Sequence, residues 1–324
     1  MNKQISLNLK NGKINLINLP IPEVKNGFTL VKTIKTLISP GTERMLVNFG
    51  ESSLINKVTK NSDKLKVVFE NLKKNGLKST LDKIENKLSS YTPLGYSNIG
   101  IVVESSSNKL SKGDYVVSNG PHAEYVLVPN NYCLKIDETN DDYLFSILGS
   151  ISINAIRKIN NGIGFNTCII GMGIIGIIIN LFLKNHNNIL CIEKNKKRID
   201  FLKSNLELFC INSSSSNFSR YLSKNFINGF DNIIISSNSS DSKVLDLAVD
   251  LAMDNSKLVQ LGVNKISFNR DALYKKNINF TVASSYGPGR SIDSYENIGI
   301  DPPIQFSRWT AGRNIDESIN IIGK

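Results

Sequence analysis

Residues 167–193 read TCIIGMGIIGIIINLFLKNHNNILCIE, and the fold follows from how this stretch is punctuated. Cys168-Ile169-Ile170 is an apolar run long enough for a buried strand. Gly171-Met172-Gly173-Ile174-Ile175-Gly176 has the spacing G-x-G-x-x-G. Residues 177–184 continue as an apolar helix, and Ile189-Leu190-Cys191-Ile192 is a second buried strand ending in Glu193. Strand, glycine turn, helix and strand in this order make the βαβ unit that holds a dinucleotide pyrophosphate. Gly171 permits the tight turn, Gly173 lets the pyrophosphate approach the backbone, and Gly176 lets the helix lie close on the strand. The helix start points unpaired N–H groups at the phosphates. The bland alternative is a tight glycine turn that binds nothing.

Glu193 ends its strand where a carboxylate accepts hydrogen bonds from an adenosine ribose diol and repels a 2′-phosphate. This favours NAD(H) over NADP(H). Lys194, Lys196, Lys197 and Arg198 stand beside it and could hold that phosphate, or simply form an exposed first helical turn. After Glu193 the α/β alternation continues. A helix is expected over residues 194–207, a strand over 233–237, a helix over 242–253, a strand over 257–263 and a last strand over 279–285. Ser236 and Gly262 end the two strands at 233–237 and 257–263. The candidate cofactor set is therefore Gly171, Met172, Gly173, Ile174, Ile175, Gly176, Glu193, Lys194, Arg198, Ser236 and Gly262.

Upstream of residue 150 the pattern changes. Residues 1–40 alternate and turn often, with a hairpin signal at Asn11-Gly12. Residues 44–90 hold apolar residues at helical spacing (Leu65, Val68, Phe69, Leu72) among lysines, which predicts two or three amphipathic helices, read as a solvated helical cap in preference to a substrate lid. Strands resume from Pro93, and a helix is expected over residues 137–160. From residue 286 the tail is rich in loops.

The 324 residues suffice for about two domains. With 40% hydrophobic and 21% charged residues the chain is globular in composition, and no run of about 18 apolar residues predicts a membrane span. The first residues lack the apolar core of a signal peptide, so a cytoplasmic location is the default expectation. The formal charge of +11 comes from scattered lysines. No basic tract points to nucleic acid, but the balance favours anionic substrates through long-range attraction. Cys133, Cys168, Cys191 and Cys210 form no C-x-x-C and read as small core hydrophobes.

Read together, several segments resemble the medium-chain dehydrogenase/reductases, the family of zinc alcohol dehydrogenases and quinone reductases. Gly41-Thr42-Glu43 resembles the family's G-T-D, PLGYSNIG at 93–100 its L-G-H-E-x-x-G, KGDYVV at 112–117 its K-G-D-x-V, and HAEYVLVP at 122–129 its F-A-E-Y-x-x-V-P. SPGTERMLVNFG, the lysine-rich insert, SYGPGR at 285–290 and GIDPPIQFSRWT at 299–310 resemble a bacterial subgroup often encoded with surface-polysaccharide genes or fused to an inositol-dehydrogenase-like oxidoreductase.

The resemblance implies an α/β protein. A GroES-like β domain would occupy residues 1–150, with the helical insert at about 44–90. A Rossmann doubly wound parallel-sheet domain would occupy 151–285, and 286–324 would return to the first domain. The chain stops at NIIGK soon after a helix begins, which leaves the end of that domain expected beyond the sequence.

The family's catalytic zinc ligands fall here on Pro40, Tyr96 and, less securely, Ser150, and its four-cysteine structural zinc lobe is absent. A catalytic zinc is therefore not expected. The resemblance places Glu43, Tyr96 and His122 near the substrate as candidate catalytic residues. His122 would be a proton donor, Tyr96 a proton donor or an oxyanion partner, and Glu43 would pair with Arg44 or stand beside the substrate. Alternatively, His122 is a loop histidine bonded to backbone and Glu43 part of a structural ion pair. His186 reads as a surface residue. Tyr286 and Arg290 sit on a Gly-Pro loop after the last strand. Arg290 could clamp a phosphate or carboxylate, or form an interdomain salt bridge.

The implied activity is hydride transfer between nicotinamide and an alcohol or carbonyl carbon of a sugar, polyol or related, possibly anionic, small molecule. A homodimer or homotetramer and a partner oxidoreductase are further expectations. A non-catalytic nucleotide-binding subunit or sensor, and a zinc-independent quinone or enoyl reductase, stand beside this reading.

Overall fold

The computed structural model describes residues 1–51, 91–160, 162–185, 187–239 and 242–323. Most of the insert expected at 44–90, and His186, lie outside the described residues. The chain divides into two compact units, Met1–Phe145 with Glu296–Ile300, and Ser146–Tyr295 with Asp301–Lys324.

In the first unit the turn signal at Asn11-Gly12 joins β1 (Asn2–Asn8) to β2 (Ile14–Leu19) as an antiparallel pair, with Gly12 at φ +72°. Then come β3 (Phe28–Thr36), α1 (Pro40–Glu51), β4 (Tyr91–Pro93), β5 (Asn98–Ser105), β6 (Tyr115–Ser118), β7 (Tyr125–Pro129) and β8 (Cys133–Lys135). They build a three-stranded sheet, β2-β1-β4, and a five-stranded antiparallel sheet, β7-β3-β5-β6-β8. Val31, Val102, Val116, Val126 and Val128 fill the core of the larger sheet. β-branched side chains pack well on such a pleated face. Proline suits the first position of α1, where an N–H would go unpaired. The Glu43 carboxylate closes that turn by accepting the Ser39 N–H at 2.8 Å, much as a capping box does.

In the second unit β9 (Phe165–Ile170), β10 (Asn187–Ile192), β11 (Cys210–Ile211), β12 (Phe230–Ile235), β13 (Ala252–Gln260) and β14 (Asn279–Val282) form one parallel sheet in the order β11-β10-β9-β12-β13-β14. This is the doubly wound order of a Rossmann domain, whose strand order reverses beside β9. Besides a four-residue helix at Asp293–Glu296, the helices are α2 (Ser146–Ile156), α3 (Ile174–Leu183), α4 (Lys196–Leu206), α5 (Phe218–Asn225), α6 (Lys243–Leu251), α7 (Arg270–Lys275) and α8 (Ala311–Ile322). Both sheet faces are covered. Cys168, Ile170, Ile233 and Ile235 pack with Phe218 of α5 and Leu245 of α6, while Ile169 and Ile234 pack with Ile179 of α3 and Leu202 of α4. Strands buried on both faces read as continuous apolar runs, which is why they were legible.

Several boundaries differ from expectation for local reasons. The helix expected over 137–160 is a 3-10 turn at Asp141–Phe145 followed by α2. Asn140 Oδ1 accepts the Asp142 N–H at 3.0 Å and makes a turn there. The helix expected to reach 253 stops at Leu251, because Lys276 Nζ donates to the carbonyls of Val249, Asp250 and Ala252 at 2.7–3.1 Å and caps its end. Of the tail 286–324, which the resemblance assigns to the first domain, Glu296–Ile300 groups with the first unit and Asp301–Lys324 with the second. There the Arg157 guanidinium lies 3.2 Å from the Trp309 ring centroid and donates to Asn314 Oδ1 at 2.9 Å, joining α2 to α8.

Candidate functional site

The second unit carries the glycine loop at the carboxyl end of β9. Gly171 takes φ +97°, and a Cβ there would lie 2.7 Å from the backbone N of Ser237 at the end of β12. Only glycine fits the crossing. A Cβ on Gly176 would collide with the Gly171 carbonyl oxygen, so this glycine lets α3 start on top of the turn. Gly173 differs: nothing lies within 4 Å of the place its Cβ would take. It is also the N-cap of α3, at φ −74° and ψ −174°, and no side chain caps it. The loop thus offers open space beside an uncapped helix start, the arrangement that receives phosphate. Met172 is buried, and Ile174 and Ile175 open the helix.

Glu193 follows β10 and reaches this loop. Its side chain is 4% exposed. Its Oε2 accepts the Met172 N–H and Arg198 Nη1, and its Oε1 accepts the Asn195 N–H, each at 2.9 Å. Burial works against ionisation, but the bonds from Asn195, Arg198 and Met172 outweigh it and hold the carboxyl below its ordinary value. Glu193 therefore ties the end of the second strand to the glycine loop and to the start of α4. Arg198, 45% exposed, lies against it. Lys194 is exposed.

Ser236 and Gly262 close the loop from the other side. Ser236 Oγ donates to the Gly171 carbonyl at 2.6 Å, and Gly262 packs on the Ser237 carbonyl. Sequence reasoning missed Asn195, whose side chain caps α4 by accepting the Arg198 N–H at 3.2 Å. An Asn just before a helical run is a signal that could have found it. It also missed Gln260 and Asn264, whose Oε1 and Oδ1 are buried without a partner near the end of β13.

After β14 the loop 286–290 rests on α8. Asn314 Nδ2 donates to the Tyr286 carbonyl at 2.7 Å, and Ala311 N–H to that of Pro288 at 2.7 Å. The Tyr286 ring is buried, and the exposed Arg290 guanidinium stands 5.9 Å from its centroid.

In the first unit, His122, in the turn before β7, meets Glu43 of α1. His122 Nε2 lies 3.3 Å from Glu43 Oε1. The imidazole is 6% exposed and its Nδ1 is buried without a partner, while the Glu43 side chain is 13% exposed. The backbone on either side is fixed: His122 N–H donates to the Leu94 carbonyl at 2.7 Å, and Ile5 N–H to that of His122 at 2.8 Å. Gly95, at φ +87°, makes room for the ring, since a Cβ there would lie 2.6 Å from Nδ1. Tyr96 follows, half-buried.

The positions that would hold a catalytic zinc carry the wrong donors. Pro40 has no side-chain donor atom and opens α1. Tyr96 is a phenol. Ser150 is fully buried, and its Oγ donates to the Ile147 carbonyl at 2.7 Å. Zinc takes about three Cys, His, Asp or Glu ligands plus an open position. Among the described residues no three such side chains come together. Among the described residues, Pro40, Tyr96 and Ser150 do not make a zinc ligand set.

No helix among the described residues is long and apolar enough to cross a membrane. No protein-family model matches the sequence, and no curated protein matches it. Solved structures do match. A short chain alcohol dehydrogenase from E. coli CFT073, complexed with NADH, is 16% identical over 88% of this chain and 84% of its own, with a TM-score of 0.66. A mycobacterial protein complexed with NADPH is 13% identical over 100% of this chain and 87% of its own, with a TM-score of 0.65. The zinc dependent alcohol dehydrogenase 2 from Streptococcus pneumonia is 16% identical over the same shares, with a TM-score of 0.69. Identities this low carry the fold and not the chemistry. With its antiparallel β unit and parallel Rossmann sheet, the chain has the fold of the medium-chain alcohol dehydrogenases.

Proposed function

We propose that this protein is a nicotinamide-dependent oxidoreductase that interconverts an alcohol and a carbonyl on a small polar substrate without a catalytic zinc. The observation that carries the reading is the glycine loop: open space at Gly173, an uncapped α3 start, and Glu193 anchored beneath. The fold likeness supports it, since proteins of this fold are described with NADH and with NADPH. The bound cofactor supplies hydride chemistry at nicotinamide C4.

This chain's residues bind, orient and move protons. The loop amides and the α3 dipole hold the pyrophosphate. Glu193 favours a ribose diol over a 2′-phosphate, so NADH is the preferred partner. His122 holds a proton on Nε2 against Glu43, and the pair passes it to or from the substrate oxygen. Tyr96 donates a hydrogen bond to the developing alkoxide, worth about 3 kcal/mol by the measure of oxyanion holes. Arg290 clamps an anionic group of the substrate. A sugar or polyol is the substrate class, resting on the resemblance described above.

Incubation with NADH and a panel of sugar-derived carbonyl compounds tests the reading. Sustained NADH oxidation, lost in His122→Ala and Glu43→Gln, is expected. NADH binding with no turnover across the panel would make the protein a nucleotide-binding subunit instead.

A further inference from the structure

Four buried cysteines have no disulfide among them, and their surroundings differ. Cys133 belongs to the β core of the first unit, and Cys168 faces the α5 and α6 side of the Rossmann sheet. Cys191 and Cys210 belong to the opposite face, and they are direct register partners on the adjacent parallel strands β10 and β11. Adjacent strands lie about 4.8 Å apart, within the roughly 4.4–6.8 Å between Cα atoms that a disulfide spans. We propose that Cys191 and Cys210 are an oxidisable dithiol, which a hydroperoxide converts to a disulfide.

The neighbourhood distinguishes this pair. Asn180 Nδ2 of α3 donates to Cys191 Sγ at 3.3 Å. The Cys191 thiol in turn donates to Cys210, which draws the Cys210 thiol below its ordinary range although burial and the Glu193 charge oppose this. That same donation, with burial, pushes Cys191 well up. Burial alone pushes Cys133 and Cys168 up. Cys210 is thus the nucleophile, since the thiolate is the reacting form. It also lies nearest solvent. β11 is two residues long and forms the sheet edge, and its neighbour Phe209 is 57% exposed.

The steps balance with hydrogen peroxide as oxidant. The Cys210 sulfur attacks one peroxide oxygen, the O–O bond breaks, and the thiol proton leaves with the other oxygen as water. Cys210 is now a sulfenic acid. The Cys191 sulfur attacks it, the S–O bond breaks, and hydroxide takes the Cys191 proton as a second water. Two thiols are oxidised and one peroxide is reduced.

The site does not depend on the cofactor reading. The test treats the full-length folded protein with excess hydrogen peroxide, alkylates it under denaturing conditions and maps peptides without reduction. The expected result is a loss of two hydrogens in the intact mass and one bridge linking the Cys191 and Cys210 peptides. The bridge should persist in Cys168→Ser and vanish in Cys210→Ser. If Cys210→Ser does not fold, the wild-type map alone decides. Four alkylated thiols, a bridge to Cys133 or Cys168, or separate sulfinic acids would overturn the proposal.

Discussion

Glu193 shows how one side chain can tie a strand, a loop and a helix start together. Its carboxylate accepts from Met172, Asn195 and Arg198, so it fixes the glycine loop, and on the proposed reading it would also accept from a ribose diol. Glu193→Gln keeps the shape but turns one acceptor into a donor that faces an N–H, and it frees Arg198. NADH affinity is expected to fall about tenfold, the scale of one charge-assisted hydrogen bond lost, while NADPH affinity falls less or rises. Fluorescence titration of both cofactors reads the ratio; an unchanged ratio would remove Glu193 and Arg198 from selectivity. The sign with pH follows from the lowered carboxyl. Its stabilisation is complete above the ordinary value of 4.5 and is lost as pH falls through the lower folded value. Acid unfolding of Glu193→Gln should therefore be less steep in that window than that of the wild type. At this scale Gly171 and Gly176 were legible, because each answers a local backbone demand. The partners of Glu193 were not, because the return of Arg198 depends on where α4 starts.

Elements were legible where periodicity was strong. β9, β10 and β12 announce themselves as apolar runs, and α3 as an apolar helix. β11 and α5 fall in the serine-rich segment at 210–225, where a two-residue strand leaves no period to read. The end of α6 was misjudged because its cap comes from Lys276, distant in sequence. Lys276 Nζ spends its donors on the carbonyls of Val249, Asp250 and Ala252. Lys276→Met keeps the stem and removes the ammonium. It should destabilise the protein by about 2 kcal/mol, the scale of hydrogen bonds to a charged group. Urea denaturation measures this, and no change in midpoint would mean that water replaces the ammonium without loss.

For the whole molecule, the fold is that of dehydrogenases among which zinc-dependent members exist, yet Pro40, Tyr96 and Ser150 supply no zinc ligand set. Protein purified without chelator is expected to hold well under one zinc per chain, and hydride transfer should survive EDTA. Stoichiometric zinc, with activity lost to chelator and restored by the metal, would contradict this. The +11 formal charge would also draw the proposed anionic dinucleotide toward the protein, so cofactor association should slow as salt rises.

The central claim is that the loop at 171–176 holds a nicotinamide dinucleotide, and Gly173 tests it most directly because the space beside it is open. Outside its immediate chain neighbours no protein atom lies within 4 Å of where a Cβ would sit, so a valine there is expected to intrude on the place proposed for the pyrophosphate. Calorimetric titration of NADH into the wild type and into Gly173→Val, with thermal unfolding to confirm that both fold, is the decisive measurement. Binding to the wild type, with at least about a hundredfold loss (~2.7 kcal/mol) in an equally stable Gly173→Val, is the predicted result. Equal NADH affinity in the two proteins would contradict it.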